Sequence, residues 1–326
     1  MTYSTRTLIN PAIASAEGQY CLTPQVQDFI ALSDQFSTQT PEPTLAEIRQ
    51  NYLNYCQFIA KDEIFDVERE DAVISSGAHH LAIRNYRPTN PRHDAQILFF
   101  HGGGFLLGDL DSHDSICAHL AERSRMSVTA VHYRLAPEHP FPAATEDCLA
   151  AYQHLQQLSD LPIILCGDSA GGTLAAGLSD QCREQNLVMP KGQLLIYPYL
   201  GGDPSAGSYQ RHRNAPMLTL QDTHDYARHY YGETLPINDP RALPLRAMEF
   251  AGLPATVIFV AEIDPLADDG IQYAQRLKAA GISASCTIMT GLPHGFMRGW
   301  RSIDEVAKCW TQMMKGLDGL AKNRVL

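Results

Sequence analysis

From residue 96 onward, short apolar runs alternate with longer stretches of helical spacing. The runs are QILFF (96–100), MSVTAVHY (126–133), LPIILCG (161–167), QLLIYPYL (193–200), ATVIFVAE (255–262) and SASCTIMT (283–290). Helical patterns fall near 112–124, 143–158, 170–186, 266–280 and 302–321. A strand that is apolar on both faces must be covered on both, so the alternation predicts an α/β class with a mostly parallel sheet flanked by helices. Such a sheet binds ligands beyond the carboxyl ends of its strands, which directs attention to the residues just after each run.

The flanking segments read differently. Two amphipathic helices are predicted before the sheet, at Pro24–Phe36 and Thr44–Ala60. Two strands near Ile64–Ile74 and His80–Arg87, separated by the turn signal SSG, make an antiparallel pair and bring the predicted strands to eight. Residues 201–245 interrupt the alternation with GGDPSAGSY, a polar helix at Leu220–Tyr231 and turn-rich sequence. The expected organisation is a helical cap drawn from residues 1–62 and an inserted segment 201–245. It would sit over a core formed by 63–200 and 246–326.

Composition narrows the function classes. The chain has 326 residues, and its net charge of −11 disfavours nucleic acid as a partner, because phosphate binding needs basic patches. No stretch approaches 18 apolar residues, so no membrane insertion is expected. MTYSTRTLINPAIASAEG lacks the basic start and apolar run of a signal peptide. The eight cysteines are scattered, with no metal-binding spacing; this suits a cytoplasmic protein and leaves metal and other cofactors unexpected. Whether the chain forms a homodimer is left open.

The chemistry lies at the strand ends. LPIILCG runs into Gly167-Asp168-Ser169-Ala170-Gly171 and then a helical pattern, which is G-x-S-x-G in strand–turn–helix context. The sharp turn needs small residues two before and two after the serine, and it puts the Ser169 hydroxyl at the sheet rim. The pentapeptide alone is weak evidence; its position makes Ser169 a candidate nucleophile. After QILFF comes His101-Gly102-Gly103-Gly104-Phe105, whose glycines leave backbone N–H groups uncovered. Gly103 and Gly104, with Ala170, are the expected oxyanion donors. His101 and Asp168 are expected to anchor the loop and to take no part in proton transfer.

A base and an acid should follow later strands. Asp264 ends ATVIFVAEI, with Glu262, Asp268 and Asp269 as competitors. The last two also suit the acid-rich first turn of a helix. His294 lies in the Gly/Pro loop after the last strand, and completes the order Ser–Asp–His characteristic of α/β-hydrolases. Phe105, Leu106 and Tyr197 are candidate substrate-pocket residues.

At these residues the sequence resembles the hormone-sensitive-lipase family of bacterial esterases, in its GDSAG subgroup. The likeness spans about residues 96–300, carried by HGGGFLLGDLDSHD (101–114), YRLAPEHPFPAATED (133–147), GDSAGG (167–172), DPLADD (264–269) and LPHGF (292–296). It implies the α/β-hydrolase fold, a Ser169–His294–Asp264 triad, no cofactor and a small-molecule ester of short to medium acyl chain as substrate. It also implies that some X-Pro bonds around Pro137, Pro140 and Pro142 are cis. Arg134 and Glu138 are expected to form a buried ion pair in that loop. A non-catalytic receptor on this fold would lack the histidine found at 294. Amidases, peptidases and true lipases share the acyl-enzyme route and are not separated by the triad.

Overall fold

The computed structural model describes residues 20–37, 42–77 and 79–324. The start of the expected cap and the stretch read for a signal peptide, residues 1–19, lie outside them. Eight strands form one sheet: β1 (Val67–Ser76), β2 (His79–Pro88), β3 (Gln96–Phe100), β4 (Val128–Val131), β5 (Ile163–Asp168), β6 (Gly192–Ile196), β7 (Thr256–Ile263) and β8 (Ala284–Pro293). Their order is β1-β2-β4-β3-β5-β6-β7-β8. β1 and β2 pair antiparallel, β2 meets β4 antiparallel, and every other neighbour is parallel.

The first five runs from residue 96 are buried on both sides because helices cover both faces, whereas the sixth, in the edge strand β8, leaves Ile288 half exposed. Leu98, Phe100, Leu165, Leu195, Ile258 and Val260 face one core, packed by α4 (Ala143–Leu158), α5 (Ala170–Glu184) and α8 (Ala267–Ala279). Their chain neighbours Ile97, Phe99, Ile164, Cys166, Leu194 and Phe259 face the other, under α3 (Asp114–Ser124) and α9 (Asp304–Ala321). The period-two alternation of the strand is thus satisfied twice.

Local chemistry sets the ends of the elements. Thr23 caps α1 (Pro24–Gln35), and Thr44 with Glu47 forms a capping box on α2 (Leu45–Ala60). β6 stops at Ile196, four residues before the apolar run ends, because Tyr197 takes φ 36° and Pro198 has no N–H to donate. β1 begins at Val67, leaving Ile64 fully in solvent. Within 201–245, a short helix that the pattern did not predict, α6 (Gly207–Arg211), precedes α7 (Leu220–Tyr231). The Ala136–Pro137 and Phe141–Pro142 peptides are cis, as the resemblance implied.

The expected Arg134–Glu138 pair does not form. Arg134 binds Asp147 (3.0 Å) and Glu146 (3.1 Å) on α4, whereas Glu138 binds Arg49 on α2 at 2.7 Å. A buried Asp147 in α4 offers Arg134 a better-shielded partner than the half-exposed Glu138.

His119 of α3 is buried between the chain's two tryptophans, with ring centroids 4.0 Å from Trp300 and 4.4 Å from Trp310. Neither ring nitrogen has a hydrogen-bond partner among the described residues. Burial, aided by Arg123, lowers its pKa from 6.5 to about 4. The unfolded chain therefore takes up this proton first, and stability present above pH 6.5 falls as pH drops toward 4. Urea unfolding across that window should show a loss of about 2–3 kcal/mol from this residue. His119→Phe should remove that share of the slope; identical slopes in the two proteins would contradict the assignment.

Candidate active site

The turn between β5 and α5 is built by close backbone approach. Ser169 adopts φ 53° and ψ −119°, a region that side chains strongly disfavour. Its N–H is held by the Ile196 carbonyl at 2.8 Å, and its own carbonyl accepts from Gly172 at 2.9 Å. A Cβ at Gly167 would strike the Gly171 carbonyl, and one at Gly171 would strike the Phe100 carbonyl at the end of β3. Both glycines are therefore required by packing, and the turn lifts the Ser169 side chain above the sheet.

Three strand ends converge there. His294, directly after β8, places Nε2 2.9 Å from Ser169 Oγ and Nδ1 2.6 Å from Asp264 Oδ2. Asp264 directly follows β7 and is fully buried; its other oxygen accepts the Leu266 N–H at 2.8 Å. That leaves Oδ2 directed at the imidazole. The three competing carboxylates have other work. Glu262 accepts from Gly291 N–H (2.7 Å), steadying the strand that leads to His294. Asp268 accepts from the Ser208 N–H of α6 (2.8 Å). Asp269 receives Leu200 N–H (2.7 Å) and Gly201 N–H (3.0 Å), and burial still raises its pKa to about 7.

The loop after β3 faces the same point. Gly103, Gly104 and Ala170 line a cavity with Ser169 and His294. Among the described residues, no backbone carbonyl receives the N–H of Gly103 or Gly104. The loop is shaped by its own glycines: Gly103 (φ 117°) and Gly104 (φ 61°) are both left-handed. Its carbonyl at Gly103 accepts from Leu106 (3.1 Å) and Leu107 (2.8 Å). His101 is buried, stacked on Tyr133 with centroids 4.2 Å apart, and Nδ1 donates to the Gly102 carbonyl at 2.8 Å. Burial, with His113 nearby, holds it well below the ordinary imidazole pKa, so it stays neutral as an anchor.

The cavity encloses about 180 Å³ and is walled from above by α1, α2 and α7. Phe105 and Tyr197 line it; Leu106 does not. Leu106 is buried in the core beside α2, where its carbonyl accepts from Arg49 Nε (2.8 Å), and Leu107 lines the cavity in its place. Among the described residues, no group of three or more His, Cys, Asp or Glu side chains is arranged to hold a metal ion.

A family model for the α/β-hydrolase fold matches residues 97–298. Esterase LipI of Mycobacterium tuberculosis is 40% identical over 237 residues, covering 70% of this chain and 74% of its own. A hyperthermophilic esterase from Pyrobaculum calidifontis superposes with TM-score 0.85 at 31% identity, covering 92% of this chain and 99% of that one. An esterase of the bacterial hormone-sensitive lipase family gives TM-score 0.82 at 26% identity, over 93% and 99%. The chain belongs to the α/β-hydrolase family, among the hormone-sensitive-lipase esterases. It is a carboxylic ester hydrolase. Among its described residues, no helix is long and apolar enough to cross a membrane.

This α/β-hydrolase also contains contacts that no motif announced. Tyr226 of α7 presses on Gly104, so that a Cβ at 104 would overlap the tyrosine ring. Arg298, four residues past His294, reaches the cavity floor and bonds to Tyr52 of α2 and to His113. The arginine lies in a short helical turn at Phe296–Gly299, whose sequence carries no warning of burial.

Gly171→Ala tests the close approach at the elbow. The added methyl meets a backbone carbonyl that cannot rotate away, so the urea midpoint should fall, with a cost of about 1–3 kcal/mol. An unchanged midpoint would show that the β3 end yields freely.

Proposed function

We propose that this esterase works through a Ser169–His294–Asp264 triad and an acyl-enzyme. The observation that carries the reading is the continuous hydrogen-bond chain, 2.6 Å from Asp264 to His294 and 2.9 Å from His294 to Ser169, opening into a cavity. His294 Nε2 takes the Ser169 proton as Oγ attacks the ester carbonyl. The tetrahedral oxyanion is received by the N–H groups of Gly103, Gly104 and Ala170. His294 returns the proton to the leaving alcohol, then activates water to release the acid. Asp264 fixes the ring so that Nε2 is free to accept, and stabilises the imidazolium. Water or alcohol is the only other reactant.

Residues 1–62 and 201–245 act together as the cap. This is supported by Asp34 of α1 and Phe36 just after it, Tyr52 and Tyr55 of α2, and Met217 and Tyr226 of the insert, which wall one cavity with Ser169. Substrates are short- to medium-chain esters. A space of about 180 Å³ is several times the roughly 30 Å³ that a water molecule occupies in the liquid. It suits a short acyl group and a small alcohol. The eight free thiols, six of them buried, favour work in the reducing cytoplasm.

Ser169→Ala should lower kcat on p-nitrophenyl butyrate by about 10⁴-fold or more, with folding unchanged by circular dichroism. Near-wild-type turnover would overturn the nucleophile. In an acyl series from acetate to palmitate, kcat/KM should fall sharply beyond about eight carbons, because a cavity of this size offers no further apolar surface to bury. A steady rise with length would overturn the pocket reading. Tyr226→Ala should extend the tolerated length by removing a wall.

A further inference from the structure

Behind the oxyanion loop lies a buried charge network that the triad does not use. Asp168, beside the nucleophile, is 6% exposed. Its Oδ1 accepts the Gly102 N–H at 2.9 Å, and its Oδ2 receives the Tyr197 hydroxyl at 3.4 Å. Only a glycine at 102 lets the carboxylate come so close, since a Cβ there would overlap it. A buried carboxylate needs a counter-charge. Among the described residues, no guanidinium or ammonium touches Asp168; its basic neighbour is His113, with Nε2 3.5 Å from Oδ1.

His113 is itself held by Arg298. The guanidinium lies 3.0 Å from His113 Nε2, 3.1 Å from the Tyr52 hydroxyl and 2.7 Å from the Ser112 carbonyl. The same guanidinium nitrogen lies 3.4 Å from His113 Nδ1, and because a guanidinium has only donors, an imidazole nitrogen is the acceptor in this contact; Nδ1 also lies 3.0 Å from Ser112 Oγ. Burial and the Arg298 charge both hold His113 below the ordinary imidazole pKa, so at neutral pH Arg298 is the cation of the group. The other groups facing it do not compete. Tyr52 and Cys56 of α2 are kept neutral by burial, and so is His101. Asp109 is committed to the Ser112 N–H at 2.6 Å, and Glu63 lies further along the guanidinium's field. Burial pushes the Asp168 carboxyl up, but His113, Arg298 and the Gly102 N–H together hold it below its ordinary value.

We propose that Arg298 is a positioning residue for ester hydrolysis: its guanidinium is the counter-charge, one imidazole removed, that keeps Asp168 gripping the Gly102 N–H and thereby sets the oxyanion loop. Through Tyr52 the same side chain ties that loop to α2. The proposal rests on the oxyanion assignment above, but adds a distinct signature. Without Arg298, His113 loses the neighbouring cation that opposes its protonation and gains the freedom to bind a second proton beside Asp168. The imidazolium then replaces the missing charge, and only at low pH.

The test is the pH profile of Arg298→Met and Arg298→Lys on p-nitrophenyl butyrate, a neutral ester. Arg298→Met should lose about tenfold in kcat at pH 8.5, with KM within about twofold, and should lose much less at pH 6. The ratio of variant to wild-type kcat should thus decline with rising pH. Arg298→Lys keeps the charge and should keep the wild-type shape. His113→Gln added to Arg298→Met should abolish the low-pH recovery. A pH-independent loss shared equally by Met and Lys variants would reduce Arg298 to structural support and overturn the proposal. A rise in KM confined to a carboxylate-bearing ester would instead make it a substrate contact, and also overturn it. Should the variants not fold, the wild-type enzyme decides: imidazole NMR should show His113 titrating below the ordinary imidazole value, and titration at or above that value would overturn the proposal. A fluorophosphonate label on Ser169 in every variant separates failure of this network from failure of the triad assignment.

Discussion

The site depends on one steric constraint: β5 and α5 meet in a turn so tight that main chain packs directly on main chain. Gly167 abuts Gly171, and Gly171 abuts the end of β3. This contact forces Ser169 into a left-handed backbone (φ 53°) and fixes where Oγ points. The same contact sets the separation of β3 and β5 at their carboxyl ends, which is where the oxyanion loop departs. Ser169 and the N–H groups proposed to receive the oxyanion are thus registered by backbone geometry before any side-chain hydrogen bond is made. The strain is borne by a sheet whose central strands have no exposed face.

The carboxylates after β7 show how a crowded acidic segment is sorted. Glu262, Asp264, Asp268 and Asp269 lie within eight residues, yet each meets a different set of donors. Glu262 is exposed where the pairing of β7 with β8 becomes irregular between Ala261 and Ile263, whereas Asp264 leaves the strand end buried. The first turn of α8 then directs Asp268 and Asp269 to α6 and to the chain leaving β6. One acid meets the histidine, and the other three hold the segments that carry it.

Much of this was legible in the residues. The six apolar runs from residue 96 became strands, and the helices fell within two residues of their patterns, because burial on both faces of the five inner runs and the alternation of strand with helix leave a strong signature. Gly103, Gly104, Ser169, Ala170, Asp264 and His294 lie around one point because each follows a strand whose carboxyl end is fixed by the sheet. What the sequence concealed depends on pairing across long separations. Arg134 finds Asp147 and leaves Glu138 to Arg49, a choice made by burial and not by proximity in the chain. Leu106 faces the core because the Gly103 carbonyl captures two following N–H groups and curls the loop. Arg298 joins segments more than 180 residues apart, and no local pattern encodes that.

Tyr226 occupies the space that a side chain at position 104 would need. Cap and oxyanion loop are therefore not free to diverge independently. A larger residue at 104 requires a smaller one at 226, and a cap that moves away from the loop surrenders the wall that defines the pocket. Evolution of substrate range in such an enzyme must proceed through coupled substitutions, with the glycine loop limiting what the cap can become.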